Sequence, residues 1–166
     1  MVAGVGLSLG CMILVAASGL RAQEATAVLQ PTQGNSVKGT IRLATVGDAV
    51  HLTGIVTGLT AGKHGYHVHE TGDCTAPDGS SAGGHFNPGR ATHGAPDAAE
   101  HHAGDLGNIE AAAGGSATVD IHAAGLTLGT GARSVLGRAI VVDANPDDFS
   151  QPTGNTGERL ACGIIK

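Results

Sequence analysis

The run His64-Gly65-Tyr66-His67-Val68-His69-Glu70 constrains the fold more than any other stretch of the chain. On an extended strand, residues i and i+2 project from one face, so His67 and His69 place two imidazoles side by side. Two ring nitrogens held that closely are half of a metal site. Taken alone, the spacing suits a pair of surface histidines equally well, and the following sequence decides between the readings. From Thr71 to Gly107 the apolar periodicity vanishes, and so long an irregular segment inside a compact domain usually has a function. It carries His85, His93 and His102, eight and nine residues apart, and then Asp105. Three imidazoles and one carboxylate form a full tetrahedral set for zinc. A closed four-coordinate site is structural, and metal ligation would supply ordering energy that so polar a loop lacks. The competing reading is a histidine-rich loop without metal.

The rest of the chain reads as short strands. Ala25 to Gln30, Val37 to Leu43, Val50 to Val56, Tyr66 to Glu70, Ser116 to His122, Val135 to Asp143 and Leu160 to Ile165 are apolar or partly alternating and bounded by Gly, Pro, Asn and Asp. No stretch past residue 23 keeps a helical period. The 166 residues include 28 Gly, no Trp, one Tyr and two Phe, so a core must be built from Val, Ile, Leu and Ala around many tight turns. The expectation is one all-β domain, an antiparallel sandwich or barrel of about eight strands. Nine His against nine Lys plus Arg strengthens the case for metal.

Residues 1–22 read as a secretory signal, with a short apolar run from Leu7 to Leu20 that precedes Arg21-Ala22-Gln23. An amino-terminal membrane anchor is the alternative. Signal removal would take Cys11 with it and leave residues 23–166 as the mature domain, with no stable membrane insertion. Cys74 and Cys162 then remain, an even count in an exported chain, either paired in a disulfide or present as two buried thiols. Loss of Arg21 moves the formal net charge from −5 to −6, which argues against nucleic acid as a partner.

Several motifs taken together resemble copper/zinc superoxide dismutase in its exported bacterial form. They are His67-Val68-His69-Glu70, Gly72-Asp73-Cys74, Gly84-His85-Phe86-Asn87-Pro88, His93-Gly94, the run from His102 to Asn108, Gly137-Arg138, and the run from Gly154 to Gly163. The resemblance covers nearly all of the chain after residue 23 and implies a Greek-key β-sandwich or barrel with long metal-binding and electrostatic loops. It implies a periplasmic or secreted location, a monomer or homodimer, and superoxide as the substrate, converted to oxygen and hydrogen peroxide by copper redox cycling. By the same resemblance, His67, His69 and His85 ligate copper, and His85 bridges to a zinc ion completed by His93, His102 and Asp105. Cys74 and Cys162 match the family disulfide. Arg159 matches the arginine that guides the anion, with His85 and Arg159 as the catalytic pair. Asp147 matches the carboxylate that links a copper histidine to a zinc histidine, here His67 and His93. His101 lacks the spacing to Asp105 and is expected to be a solvated neighbour.

One position departs from the pattern. The segment Ile140-Val141-Val142-Asp143 ends in aspartate where the family carries its last copper histidine. A carboxylate there favours Cu(II) over Cu(I) if it binds, fails to bind if too short to reach, and adds negative charge beside the path of an anion. Pairing of Arg159 with Asp143 is a further expectation. His51, His64 and His122 have no place in the pattern. Three readings follow: a superoxide dismutase impaired by Asp143; a weak or inactive relative that binds zinc, with or without copper, for storage, delivery or periplasmic buffering; and a purely structural or adhesive sandwich that keeps only zinc, for stability. An aspartate at the matching place in the dismutase-like domain of the copper chaperone family favours lost catalysis, although the Cys-x-x-Cys motif of an amino-terminal delivery domain does not occur among these 166 residues.

Overall fold

The computed structural model describes residues 23–166, so the expected signal segment and Cys11 lie outside the described residues. Eight strands form a closed antiparallel barrel: β1 (Glu24–Pro31), β2 (Lys38–Val46), β3 (Ala49–Thr57), β4 (Gly62–His69), β5 (Asp105–Ala111), β6 (Ser116–Ala124), β7 (Ala139–Asp143) and β8 (Arg159–Ile164). Their spatial order is β1-β2-β3-β6-β5-β4-β7-β8, closed by Gln30 opposite Cys162 and Pro31 opposite Ala161. The successive strands β3 and β4 are not neighbours. β3 pairs with β6, and β4 lies between β5 and β7, which is the expected Greek-key crossing. Among the described residues, no helix is long and apolar enough to cross a membrane.

Alternation puts one face of each strand inside. Ala25, Ala27 and Leu29 of β1, Ile41 and Leu43 of β2, and Val50, Leu52 and Val56 of β3 meet Tyr66, Val68, Val119, Ile140 and Val142 in an almost wholly aliphatic core. Closing the barrel removes the exposed strand edges that would otherwise template pairing with another chain.

The seven expected strands are present, with their ends moved by a few residues, and β5 is an eighth that the sequence pattern does not announce. The segment read as loop up to Gly107 already contains the start of β5. Gly107, at φ 78°, interrupts the pleat between Leu106 and Ile109, and the polar Asp105 and Asn108 mask the alternation. β7 begins at Ala139, four residues after Val135, because Ser134 pairs instead with Thr127 in an isolated bridge. The long segment after β4 contains one short 3-10 turn, Ser80–Ala82, and is tied to β8 by a disulfide between Cys74 and Cys162. The two-thiol alternative is thereby excluded.

Candidate metal centre

β4 points Tyr66 and Val68 into the barrel and turns His67 and His69 outward beneath the long loop, where both are buried. The loop is held on β4 by backbone bonds: Phe86 N–H to Val68 O at 2.8 Å, Val68 N–H to Gly104 O at 2.9 Å, and Glu70 N–H to Gly84 O at 2.9 Å. Gly104 is required at this approach, since a side chain there would collide with the Val68 carbonyl and the Phe86 backbone. These contacts set His85 opposite His69 in an antiparallel bridge and Asp105 opposite His67. A loop without an apolar face thus gains its register from the strand it covers.

The side chains form two donor groups, His85-His93-His102-Asp105 and His67-His69-His85, and within each the donor atoms lie within 4.8 Å of one another. His85 belongs to both. Its ring centroid is 5.3 Å from that of His93, 5.5 Å from His102, 5.1 Å from His69 and 4.1 Å from His67. All four members of the first group are buried. Their common focus is the Asp105 carboxylate, which lies 2.8 Å from His85 Nδ1, 3.0 Å from His93 Nδ1 and 3.2 Å from His102 Nδ1. The backbone N–H groups of Gly94 and His102 also donate to Asp105 Oδ2, at 3.2 and 2.7 Å. Burial opposes ionisation of Asp105, but the His85 hydrogen bond, the His102 N–H and the nearby imidazoles outweigh it and hold the carboxyl well below its usual range.

Asp147 links the two groups. Its Oδ2 accepts from His67 Nε2 at 2.9 Å and its Oδ1 from His93 Nε2 at 3.0 Å. Burial favours the neutral acid, yet these two imidazoles and the Phe149 N–H lower its pKa. Asn108 holds the Asp147 backbone from both sides, accepting its N–H at 2.7 Å and donating to its carbonyl at 3.0 Å. Gln151 does the same for His93, at 3.1 and 2.7 Å. Neither support role was read from the sequence, because nothing in the spacing of an amide residue reveals which backbone it will reach.

Two ring nitrogens in this cluster are buried without an aligned hydrogen bond among the described residues: His69 Nε2, and His93 Nδ1, which lies 3.0 Å from Asp105 Oδ2. One belongs to each donor group. His69 donates from Nδ1 to the Gly83 carbonyl at 2.9 Å, which leaves Nε2 as a bare lone pair facing inward. Burial lowers the His69 pKa to about 3, with Arg159 and neighbouring imidazoles adding to the effect. His85 is also lowered, chiefly by burial. Buried ring nitrogens without a hydrogen bond are costly in a core and suit a cation, so the donor chemistry fits the borderline ions zinc and copper.

Asp143 faces this centre at the end of β7. Its Oδ2 accepts from His67 Nδ1 at 3.0 Å, so the His67 ring is gripped by a carboxylate at each nitrogen. Burial alone would lower the His67 pKa, but Asp143 and Asp147 overcome it and raise the value to about 9. The expected pairing of Arg159 with Asp143 is absent. The Arg159 guanidinium instead donates from Nη1 to Gly79 O and from Nη2 to Gly83 O, both at 2.7 Å, bracing the loop next to His69. Two short bonds to backbone carbonyls satisfy the guanidinium, while the Asp143 carboxylate is already engaged by His67.

His64 offers no substitute ligand. It is buried on the other side of the strand, and its Nδ1 donates to the Asp143 carbonyl at 2.9 Å while Nε2 lies 2.9 Å from the Thr60 carbonyl, which fixes the backbone that carries Asp143. His101 lies beside the centre, half-buried, with Nδ1 on the His102 carbonyl at 2.7 Å. His51 and His122 lie on the barrel wall, outside both groups.

Comparison with known proteins agrees with this architecture. The family model described as copper/zinc superoxide dismutase (SODC) matches residues 37–165. A copper/zinc superoxide dismutase of Brassica juncea is 49% identical over 84% of this chain and 94% of its own length, and one of Mesembryanthemum crystallinum is 46% identical over 79% and 88%. The extracellular superoxide dismutase of Caenorhabditis elegans is 46% identical over 76% of this chain, which spans 60% of that relative's length. A crystal structure of the clock protein EA4 superposes with a TM-score of 0.79 at 35% identity, covering 87% of this chain and 94% of that one. A disulfide and an extracellular relative both fit an exported protein. The family implies copper and zinc, and the buried imidazole cluster is suited to hold them. The chain belongs to the copper/zinc superoxide dismutase family.

Proposed function

We propose that this protein is an exported superoxide dismutase-type metalloprotein, periplasmic or secreted, that takes superoxide to oxygen and hydrogen peroxide with a turnover reduced by Asp143. His85, His93, His102 and Asp105 hold zinc; His67, His69 and His85 hold copper. The observation that carries the reading is the double membership of His85, together with one buried ring nitrogen without an aligned hydrogen bond in each group. When bound, copper would supply the one-electron redox chemistry that superoxide dismutation requires. The remaining work belongs to the chain. Arg159, anchored on Gly79 and Gly83, presents its remaining guanidinium N–H groups to the incoming anion. When its Nε2 is free of metal, His85 would hold there the proton that peroxide needs, while Asp105 fixes the ring from Nδ1. Asp147 orients His67 and His93 together. The bacterial form rests on the loop motifs.

A specific observation also favours the second reading, a metal-binding relative with little or no turnover. Asp143 Oδ2 sits on His67 Nδ1, where it competes with a metal for that nitrogen and adds an anion to the site. The substitution Asp143→His tests both. On the first reading it raises copper content and superoxide consumption together, measured on the same mature sample. If copper rises with superoxide consumption unchanged from background, the protein is a binder rather than an enzyme. Unchanged copper and unchanged consumption would refute the role given to Asp143.

A further inference from the structure

Away from the buried cluster, the outer wall of the barrel carries a third group of donors. His51 on β3 and His122 on β6 are directly opposed in the antiparallel register, and Asp120 lies two residues before His122 on the same face. The two imidazoles stack with centroids 3.9 Å apart and planes 8° from parallel. Asp120 Oδ1 accepts from His51 Nε2 at 2.6 Å. One ligand atom from each residue lies within 4.8 Å of the others. We propose that His51, Asp120 and His122 form a surface site for a divalent transition-metal ion of the zinc or copper type, separate from the buried centre.

The physical case is one of preorganisation. Each donor stands on one of two strands paired in unbroken antiparallel register, and a cross-strand pair fixes the two Cβ atoms at about 4.5–5.5 Å. Turning the two rings out of their stack brings three donors, already within 4.8 Å of one another, to one ion. On this face Ala44 opposes His51 from β2, Thr53 opposes Asp120 from β3 with Arg42 beyond it, and Ala49 opposes Ala124 at the strand end. Asp120 is 71% exposed and His51 26%, so an ion can enter from solvent. The His51 N–H holds the Asp120 carboxyl below its usual range, so the ligand is already ionised. Two imidazoles and one carboxylate select borderline ions over calcium or magnesium, which prefer oxygen alone. With three protein ligands, a coordination position is left to water, and the ion exchanges readily, unlike one in a closed structural site.

The test is equilibrium dialysis or calorimetric titration with Zn²⁺ of protein whose buried sites have first been filled with zinc and copper. The wild-type chain is expected to take up one additional equivalent. Since loss of a mere supporting partner already weakens metal sites by 10–100-fold, removal of a ligand should weaken this uptake by about 100-fold or more. His51→Ala, His122→Ala and Asp120→Asn should each do so while retaining the buried metals and the wild-type melting temperature before Zn²⁺ is added. His101→Ala should leave the uptake unchanged. Absence of an additional equivalent in the wild type, or its persistence in a His51→Ala/His122→Ala double variant, would overturn the proposal.

Discussion

The most informative perturbation is Asp143→Asn in protein stripped of metal by a chelator. His67 is then an imidazole buried between two carboxylates, with 3.0 Å to Asp143 and 2.9 Å to Asp147, and a pKa raised from 6.5 to about 9. A raised pKa means that the folded state holds the proton more tightly than the unfolded chain. The resulting stability is fully present below about pH 6.5 and is lost as the pH rises through about 9. At 1.36 kcal/mol per pKa unit, the contribution is on the order of 3 kcal/mol. An amide at position 143 removes one of the two charges but keeps an oxygen near Nδ1. The variant should therefore be less stable by about 1–2 kcal/mol at pH 6, with the difference shrinking to nothing or reversing by pH 9.5, where the wild type keeps a carboxylate without its imidazolium. Urea unfolding followed by circular dichroism across that range reads the difference directly. Parallel profiles at every pH would show that Asp143 does not hold a proton on His67. The same proton competes with any ion taken up at Nδ1, so metal uptake there should weaken as the pH falls.

Two other outcomes are expected. The wild type should retain about one zinc per chain after zinc-replete expression even where copper is substoichiometric, and Asp105→Asn should release it, as read by elemental analysis. The Cys74→Ser/Cys162→Ser double variant, which opens a loop of 88 residues, should lose about 4–5 kcal/mol of unfolding free energy in the chain-entropy account, read from denaturant titration.

The donor residues were legible because chemistry restricts which side chains can serve. His67, His69, His85, His93, His102 and Asp105 were all identifiable from type and spacing, and the structure brings them together in two groups. The supports were not. Asn108 on Asp147, Gln151 on His93 and His64 on the Asp143 carbonyl are contacts between segments far apart in the chain, made by residue types common in any loop. β5 escaped notice for a related reason: Gly107 and two polar residues erase its alternation, and pairing with β4 imposes the strand from outside.

Strand periodicity, aliphatic composition and the order of the motifs therefore determined the barrel, its chain-level family and the set of candidate metal donors, because each depends on local pattern or on side-chain chemistry. Tertiary packing decided everything that depends on who meets whom. It sent the Arg159 guanidinium to Gly79 and Gly83 instead of Asp143, set Asp143 against the His67 ring, and stacked His51 on His122 across two strands. Such encounters depend on register and on loop closure, which are properties of the whole folded chain and leave no trace in neighbouring residues.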